Sequence, residues 1–239
     1  MVLNPEGPFS LSPLLTMKLP LSLVSISAIL ALSAASTNAA LVAYWNFNEL
    51  SIATAAAPGL GGVPTTIAAT TGTGTLGLTT WTGTVDDFAG TAINARGADL
   101  PEESLSLISS AGNGSFITVA ISMTLLEDLV VTYAHRGTAT GFNAGGWSYS
   151  TDGTTFTALA GSPTPTVNTT FALATADFSA ITALDNATTV TLRYTLSGAT
   201  AATGNNRIDN LQVNAVPEPA AAVLGSLGLL VLLRRRRYF

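Results

Sequence analysis

The sequence predicts an all-β fold: an antiparallel β-sandwich, of jelly-roll type, set between two short apolar segments. Three observations predict it. Short runs rich in Thr, Val and aromatic residues recur between positions 41 and 213, separated by Gly, Asp, Asn and Ser. No window of that stretch repeats its apolar residues every 3.6 positions, as an amphipathic helix would. Residues 189–196 alternate cleanly, with Val190, Leu192, Tyr194 and Leu196 on one face and Thr189, Thr191, Arg193 and Thr195 on the other. Short, evenly spaced strands without helices bury their apolar faces by packing as two sheets.

Residues 41–48 form an aromatic first strand. Strands are expected at 116–123 and 129–136, after the loop Ser110-Ala111-Gly112-Asn113-Gly114. Residues 146–150 and 154–159 read as a hairpin around Thr151-Asp152-Gly153, because Asp-Gly suits a tight turn with positive φ. A weaker strand covers 169–174, and 208–213 is the last. The stretch 51–114 is Gly- and Thr-rich, and only 76–81 and 91–95 read as strands within it.

Charge is sparse, at 10% of residues. Between Ala40 and Ala215 stand twelve acidic residues, four arginines and no lysine, a net charge of −8. Phosphate neutralisation needs clustered Lys and Arg, so nucleic acid is excluded as a partner. A negative surface keeps a weakly charged domain in solution. The chain has no cysteine, which excludes disulfides, zinc–thiolate sites and thiol catalysis.

The two ends carry targeting information. Met17-Lys18 opens a positively charged start, residues 19–32 form an apolar run, and small residues continue to Ala40. This is the three-part layout of a secretory signal, with cleavage by signal peptidase after Ala39. Residues 1–16 hold three prolines and no basic residue, and read as an extension from an early start site. The domains are therefore 1–16, the signal 17–39, the β-sandwich 40–215 and the C-terminal segment 216–239. In that last segment Pro217-Glu218-Pro219 precedes an apolar helix at 220–233 and the cluster Arg234-Arg235-Arg236-Arg237. A transmembrane helix of that length spans about 21 Å, against a hydrocarbon core of about 30 Å, so flanking arginines must snorkel and the bilayer must thin. Four arginines hold the tail end in the cytoplasm and leave the domain outside.

Pro-Glu-Pro, a short apolar helix and a terminal Arg cluster, in that order behind a signal peptide, resemble the PEP-CTERM sorting signal. The resemblance covers about the last two dozen residues. It implies recognition of Pro217, Glu218 and Pro219 by an exosortase-type membrane protease, removal of the tail after a membrane-bound stage, and delivery to the cell surface or the extracellular polysaccharide (biofilm) matrix. A looser resemblance covers about half of the domain. The Trp147 strand before its Ser-Thr-Asp-Gly turn, the 189–196 strand and the closing run Arg207–Val213 look like the jelly-roll domains of PEP-CTERM proteins and of carbohydrate-binding jelly rolls.

Candidate chemistry is thin. Trp45, Phe47 and Glu49 share one parity, as do Asp209, Leu211 and Val213. If the terminal strands pair antiparallel, Glu49 and Asp209 meet at one end, where a structural Ca²⁺ would relieve their repulsion. His135 is the sole histidine, and no Gly-x-Ser-x-Gly elbow accompanies it. The acidic doublets Asp86-Asp87, Glu102-Glu103 and Glu127-Asp128 cannot each supply both carboxylates of a glycosidase, because strand neighbours face opposite ways. Tyr44, Trp81 and Tyr149 are candidate glycan platforms, while Trp45 and Trp147 read as core. The Asn-x-Thr/Ser patterns at Asn113, Asn168 and Asn186 carry no weight in a Thr-rich chain. The sequence thus points to a non-enzymatic, structural or adhesive surface protein. The alternatives are a carbohydrate-binding module, marked by a row of exposed aromatics, and a polysaccharide-degrading enzyme, marked by two convergent carboxylates.

Overall fold

A computed structural model describes residues 38–218 of the chain. The expected helix at 220–233, Pro219, Arg234, Arg235, Arg236, Arg237 and most of the signal segment lie outside the described residues. Among the described residues, thirteen strands build two antiparallel sheets. The first holds β1 (Ala40–Trp45), β3 (Thr71–Gly72), β5 (Thr84–Asp86), β6 (Leu105–Ile108), β8 (Leu126–Gly137), β11 (Ala172–Asp177) and β13 (Asn205–Pro217). The second runs β10 (Thr157–Ala158), β9 (Ala144–Ser150), β12 (Val190–Ser197), β7 (Phe116–Ile121), β4 (Thr75–Gly77), β2 (Thr66–Ala68). Helix in the described residues is limited to two 3-10 turns, Ser110–Gly112 and Thr182–Leu184, and none there is long and apolar enough to cross a membrane.

The alternating segment does what its pattern requires. Val190, Leu192, Tyr194 and Leu196 of β12 are fully buried and their neighbours half-buried. Each fully buried aliphatic side chain contributes about 2 kcal/mol through the water it releases. The core between the sheets centres on aromatics. Trp147 of β9 stacks on Tyr194 at 4.8 Å and meets Tyr133 of β8 edge-on at 5.7 Å. Its indole Nε1 donates to the Tyr133 hydroxyl at 3.1 Å, which satisfies a polar group that burial would otherwise leave unpaired. Trp45 and Trp147 are core, as expected. Tyr44, Trp81 and Tyr149 are not exposed platforms: Tyr44 and Trp81 are buried, and Tyr149 packs edge-on against Phe178.

Strand β13 organises the first sheet. Its first half pairs with β6 and β8, and its second half with β1 and β8. It runs on to Pro217, opposite Leu126, and the Glu218 amide donates to the Leu125 carbonyl at 3.0 Å. The sandwich therefore extends past the expected boundary at 215, into the first two residues of the Pro-Glu-Pro element. Ala40 pairs with Ala215, so both ends of the domain leave from the same end of the sheet.

A β-bulge between Asp209 and Gln212 breaks the parity of β13. Asn210 sits at φ 49, a left-handed conformation that Asn tolerates. Ile208 and Leu211 both reach the core, and the two polar residues between them face outward. They hold the long loop 87–104, which folds back over the outer face of the first sheet. Asp209 accepts the Thr91 amide at 2.7 Å. Asn210 Nδ2 donates to the carbonyls of Thr91 and Ile93 at 2.6 and 3.0 Å. Gln212 Nε2 donates to the Asn94 carbonyl at 2.6 Å. The expected strand at 91–95 is thus part of a loop, because its backbone partners are side chains of β13 and not a neighbouring strand. The hairpin at Asp152 is present with a wider turn. Thr157 pairs with Tyr149, and Asp152 Oδ1 takes the amides of Thr154 and Thr155, which hold its carboxyl far below the usual range.

Candidate functional site

The Glu49–Asp209 pairing is not what the structure shows. Phe47 takes φ 60 and ends the parity of β1, so Glu49 lies exposed on a turn. The bulge turns Asp209 to the face opposite Leu211 and Val213. Its two oxygens accept the amides of Thr91 and Asn210 at 2.7 and 2.8 Å. Burial pushes its carboxyl up to about 7, against the downward pull of those two amides. The charge of Glu49 acts on Glu103 and is not among those acting on Asp209. Among the described residues no three His, Cys, Asp or Glu side chains converge as metal ligands. Glu49 and Asp209 thus stand in different settings, one exposed on a turn and the other taken up by two backbone amides.

His135 is buried on the core side of β8, edge-on to Tyr133 at 5.9 Å. Its Nε2 accepts the Thr166 amide at 3.0 Å, and burial lowers its pKa to about 4. It is a neutral structural histidine. Asp87 accepts the Ile52 amide at 2.7 Å, and Asn113 clips Ala199 through both its amide atoms, at 2.8 and 2.9 Å. These polar side chains close loops. A groove of about 490 Å³ runs beside β2, lined by Asn46, Phe47, Pro64, Ile67 and Thr70, with Glu49 the one carboxylate in its wall among the described residues. A two-carboxylate glycosidase mechanism needs a second.

The outer face of the second sheet is different in kind. Cross-strand register puts Arg193 of β12 between Ser148 of β9 and Thr118 of β7. Its guanidinium lies 4.1 Å from the Phe156 ring centre and 5.0 Å from that of Phe116, and its Nε donates to Ser148 Oγ at 3.1 Å. Thr191, Thr195, Thr75 and Thr66 extend this face across the sheet with hydroxyls of the same parity. Cation–π contact with both rings holds the guanidinium in place, and its planar fork presents N–H donors for hydrogen bonds. Two half-buried phenyl rings, a fork of donors and threonine hydroxyls on the same face form a surface suited to a polyhydroxylated ligand. The alternation of 189–196 marks Arg193 as outward. That Phe116 and Phe156 flank it depends on strand order, which the sequence does not carry.

No protein-family model matches the chain. No curated protein matches it. Solved structures show partial similarity. The CBM22-1 xylan-binding domain from Paenibacillus barcinonensis Xyn10C aligns over 77% of this chain and 99% of its own, at 11% identity and a TM-score of 0.44. A cleaved adhesin domain of Lys-gingipain from Porphyromonas gingivalis aligns over 74% and 99%, at 14% identity and a TM-score of 0.40. A CBM6 of LamC from Zobellia galactanivorans aligns over 54% and 86%, at 16% identity and a TM-score of 0.32.

Proposed function

We propose that this chain is an exported, non-catalytic surface or matrix protein whose sandwich binds polysaccharide through the outer face of the second sheet. The carrying observation is the Phe116–Arg193–Phe156 trio at the centre of a Ser/Thr face. Sugar rings offer C–H faces to aromatic rings and hydroxyls to Arg, Ser and Thr, and this face supplies both. From β7 onward, apart from the β9–β10 hairpin, the chain alternates between sheets, which is how a jelly roll is wound. The test is affinity electrophoresis of the full-length chain in gels containing soluble xylan, β-glucan or galactan. Retardation by at least one gel is expected, and the combined substitution Phe116→Ala and Phe156→Ala should abolish it. Unretarded migration in every gel would sink the reading.

Export and sorting belong to the same proposal. Signal peptidase would cut after Ala39, which is exposed and directly precedes β1. An exosortase-type protease would act at Pro217, Glu218 and Pro219, with the chain held in the membrane through 220–233 until then. Because Pro217 and Glu218 pair with Leu126 and Leu125, this step requires the end of β13 to open first. Intact mass of the protein from its host is the check. A species from Ala40 to near Pro217 outside the inner membrane is expected. A membrane species retaining 220–239 would reduce the C-terminus to a plain anchor.

A further inference from the structure

The outer face of the first sheet carries a second basic site, independent of the Arg193 face. Four strands place Asp86, Ser106, Arg207 and Arg136 in one cross-strand row. The two arginines are directly opposed, and like charges in that position destabilise a sheet. Burial and the charge of Arg136 both lower the pKa of Arg207, with Asp86 as the opposing charge. Asp86 stands on the far side of Ser106 in this row, whereas Arg136 is the direct neighbour of Arg207.

The surroundings are built to hold both guanidiniums outward. Arg207 lies 4.7 Å from the Phe88 ring centre, and Arg136 lies 5.7 Å from that of Phe171. Both Nε atoms and Ser106 Oγ are buried without a hydrogen-bond partner among the described residues, so the pair is partly stripped of water. Arg207 Nη1 donates to the Ala89 carbonyl at 3.1 Å, at the surface. Leu173 of β11, in register with Ala134 beside Arg136, is 58% exposed. In a domain of net charge −8, two of four cations thus stand side by side, with no carboxylate between them in the cross-strand row.

We propose that Arg136 and Arg207 form a carboxylate-binding site for the uronic acid units of an acidic polysaccharide. A planar carboxylate matches the guanidinium fork and offsets the repulsion of the opposed pair. Phe88, Phe171 and Leu173 give apolar surface for the sugar ring that carries it. The negative domain around the site repels a dense polyanion and admits an isolated carboxylate at this one place.

The test is calorimetric titration of the full-length chain in detergent with tetragalacturonate, its fully methyl-esterified form and dextran sulfate. Tetragalacturonate should bind, and the ester at least about tenfold more weakly, as loss of a charge-assisted hydrogen-bond pair implies. Arg136→Gln and Arg207→Gln should each weaken binding about tenfold. Arg136→Lys and Arg207→Lys keep charge and stem but lose the fork, and should also weaken binding, which guards against misfolding of the Gln variants. No binding of tetragalacturonate at millimolar concentration, equal binding of the ester, tighter binding of dextran sulfate, or unchanged affinity in all four variants would overturn the assignment. Loss of neutral-glycan retardation with uronate binding intact would reject the Arg193 face alone.

Discussion

Two buried titratable groups in adjacent strands should oppose each other in the pH dependence of stability, and removing one should expose the other. His135 has its pKa lowered from 6.5 to about 4 by burial. Its contribution is complete above 6.5 and is lost as the pH falls toward 4, because the unfolded chain takes up the proton first. Asp209 has its pKa raised from 3.8 to about 7, again by burial. Its contribution is complete below 3.8 and is lost as the pH rises through 7. Between about pH 7.5 and 4.5 the histidine withdraws about 2.5 kcal/mol and the aspartate adds about 3 kcal/mol. The two contributions therefore oppose each other over that range. Relative to the native profile, His135→Gln should gain about 2.5 kcal/mol on acidification. Asp209→Asn should lose about 3 kcal/mol relative to native over the same range. Urea unfolding monitored by Trp fluorescence across that pH range measures both. Other carboxylates raised by burial, Asp86 and Glu103, act alike in native and variant chains and cancel in the difference. If native and His135→Gln profiles run parallel, the buried neutral histidine is wrong.

The loop over the first sheet and the core between the sheets can be perturbed separately. Gly90→Ala places a Cβ against Asp209 Oδ2 and the Glu103 carbonyl, and should cost about 1–3 kcal/mol with faster proteolysis within 87–104. Asn210→Ala removes the side-chain hydrogen bonds to the Thr91 and Ile93 carbonyls and the one accepted from Tyr44, and puts a Cβ residue at φ 49 without the tolerance of Asn. Backbone amides of 91–94 should then lose hydrogen-exchange protection while those of β12 keep theirs. Trp147→Phe loses the hydrogen bond to Tyr133 and leaves a gap beside Tyr194, and should lower the urea midpoint by the equivalent of about 2 kcal/mol at unchanged m.

The sequence by itself determined the features that depend on local pattern. Period-two alternation put Val190, Leu192, Tyr194 and Leu196 inside and Arg193 outside, because a pleated strand leaves each side chain one choice of face. Strand-forming composition and turn residues located β7, β8 and β9 to within a few residues. It failed where the backbone leaves the regular strand. Phe47 and Asn210 adopt positive φ, and each shifts the parity of the residues after it, so Glu49 and Asp209 part from the faces their spacing implies. The 51–114 region resisted reading for a related reason. Its strands are two to four residues long, too short for a period, and the loop 87–104 is held by side chains more than a hundred positions away. Sites built across strands are beyond local pattern altogether. Phe116, Phe156 and Arg193 come from three separate segments, and Arg136 meets Arg207 only because β8 and β13 pair in one register. Which residues face outward was a local property of the chain, and which of them became neighbours was decided by the order of strands in the sheets.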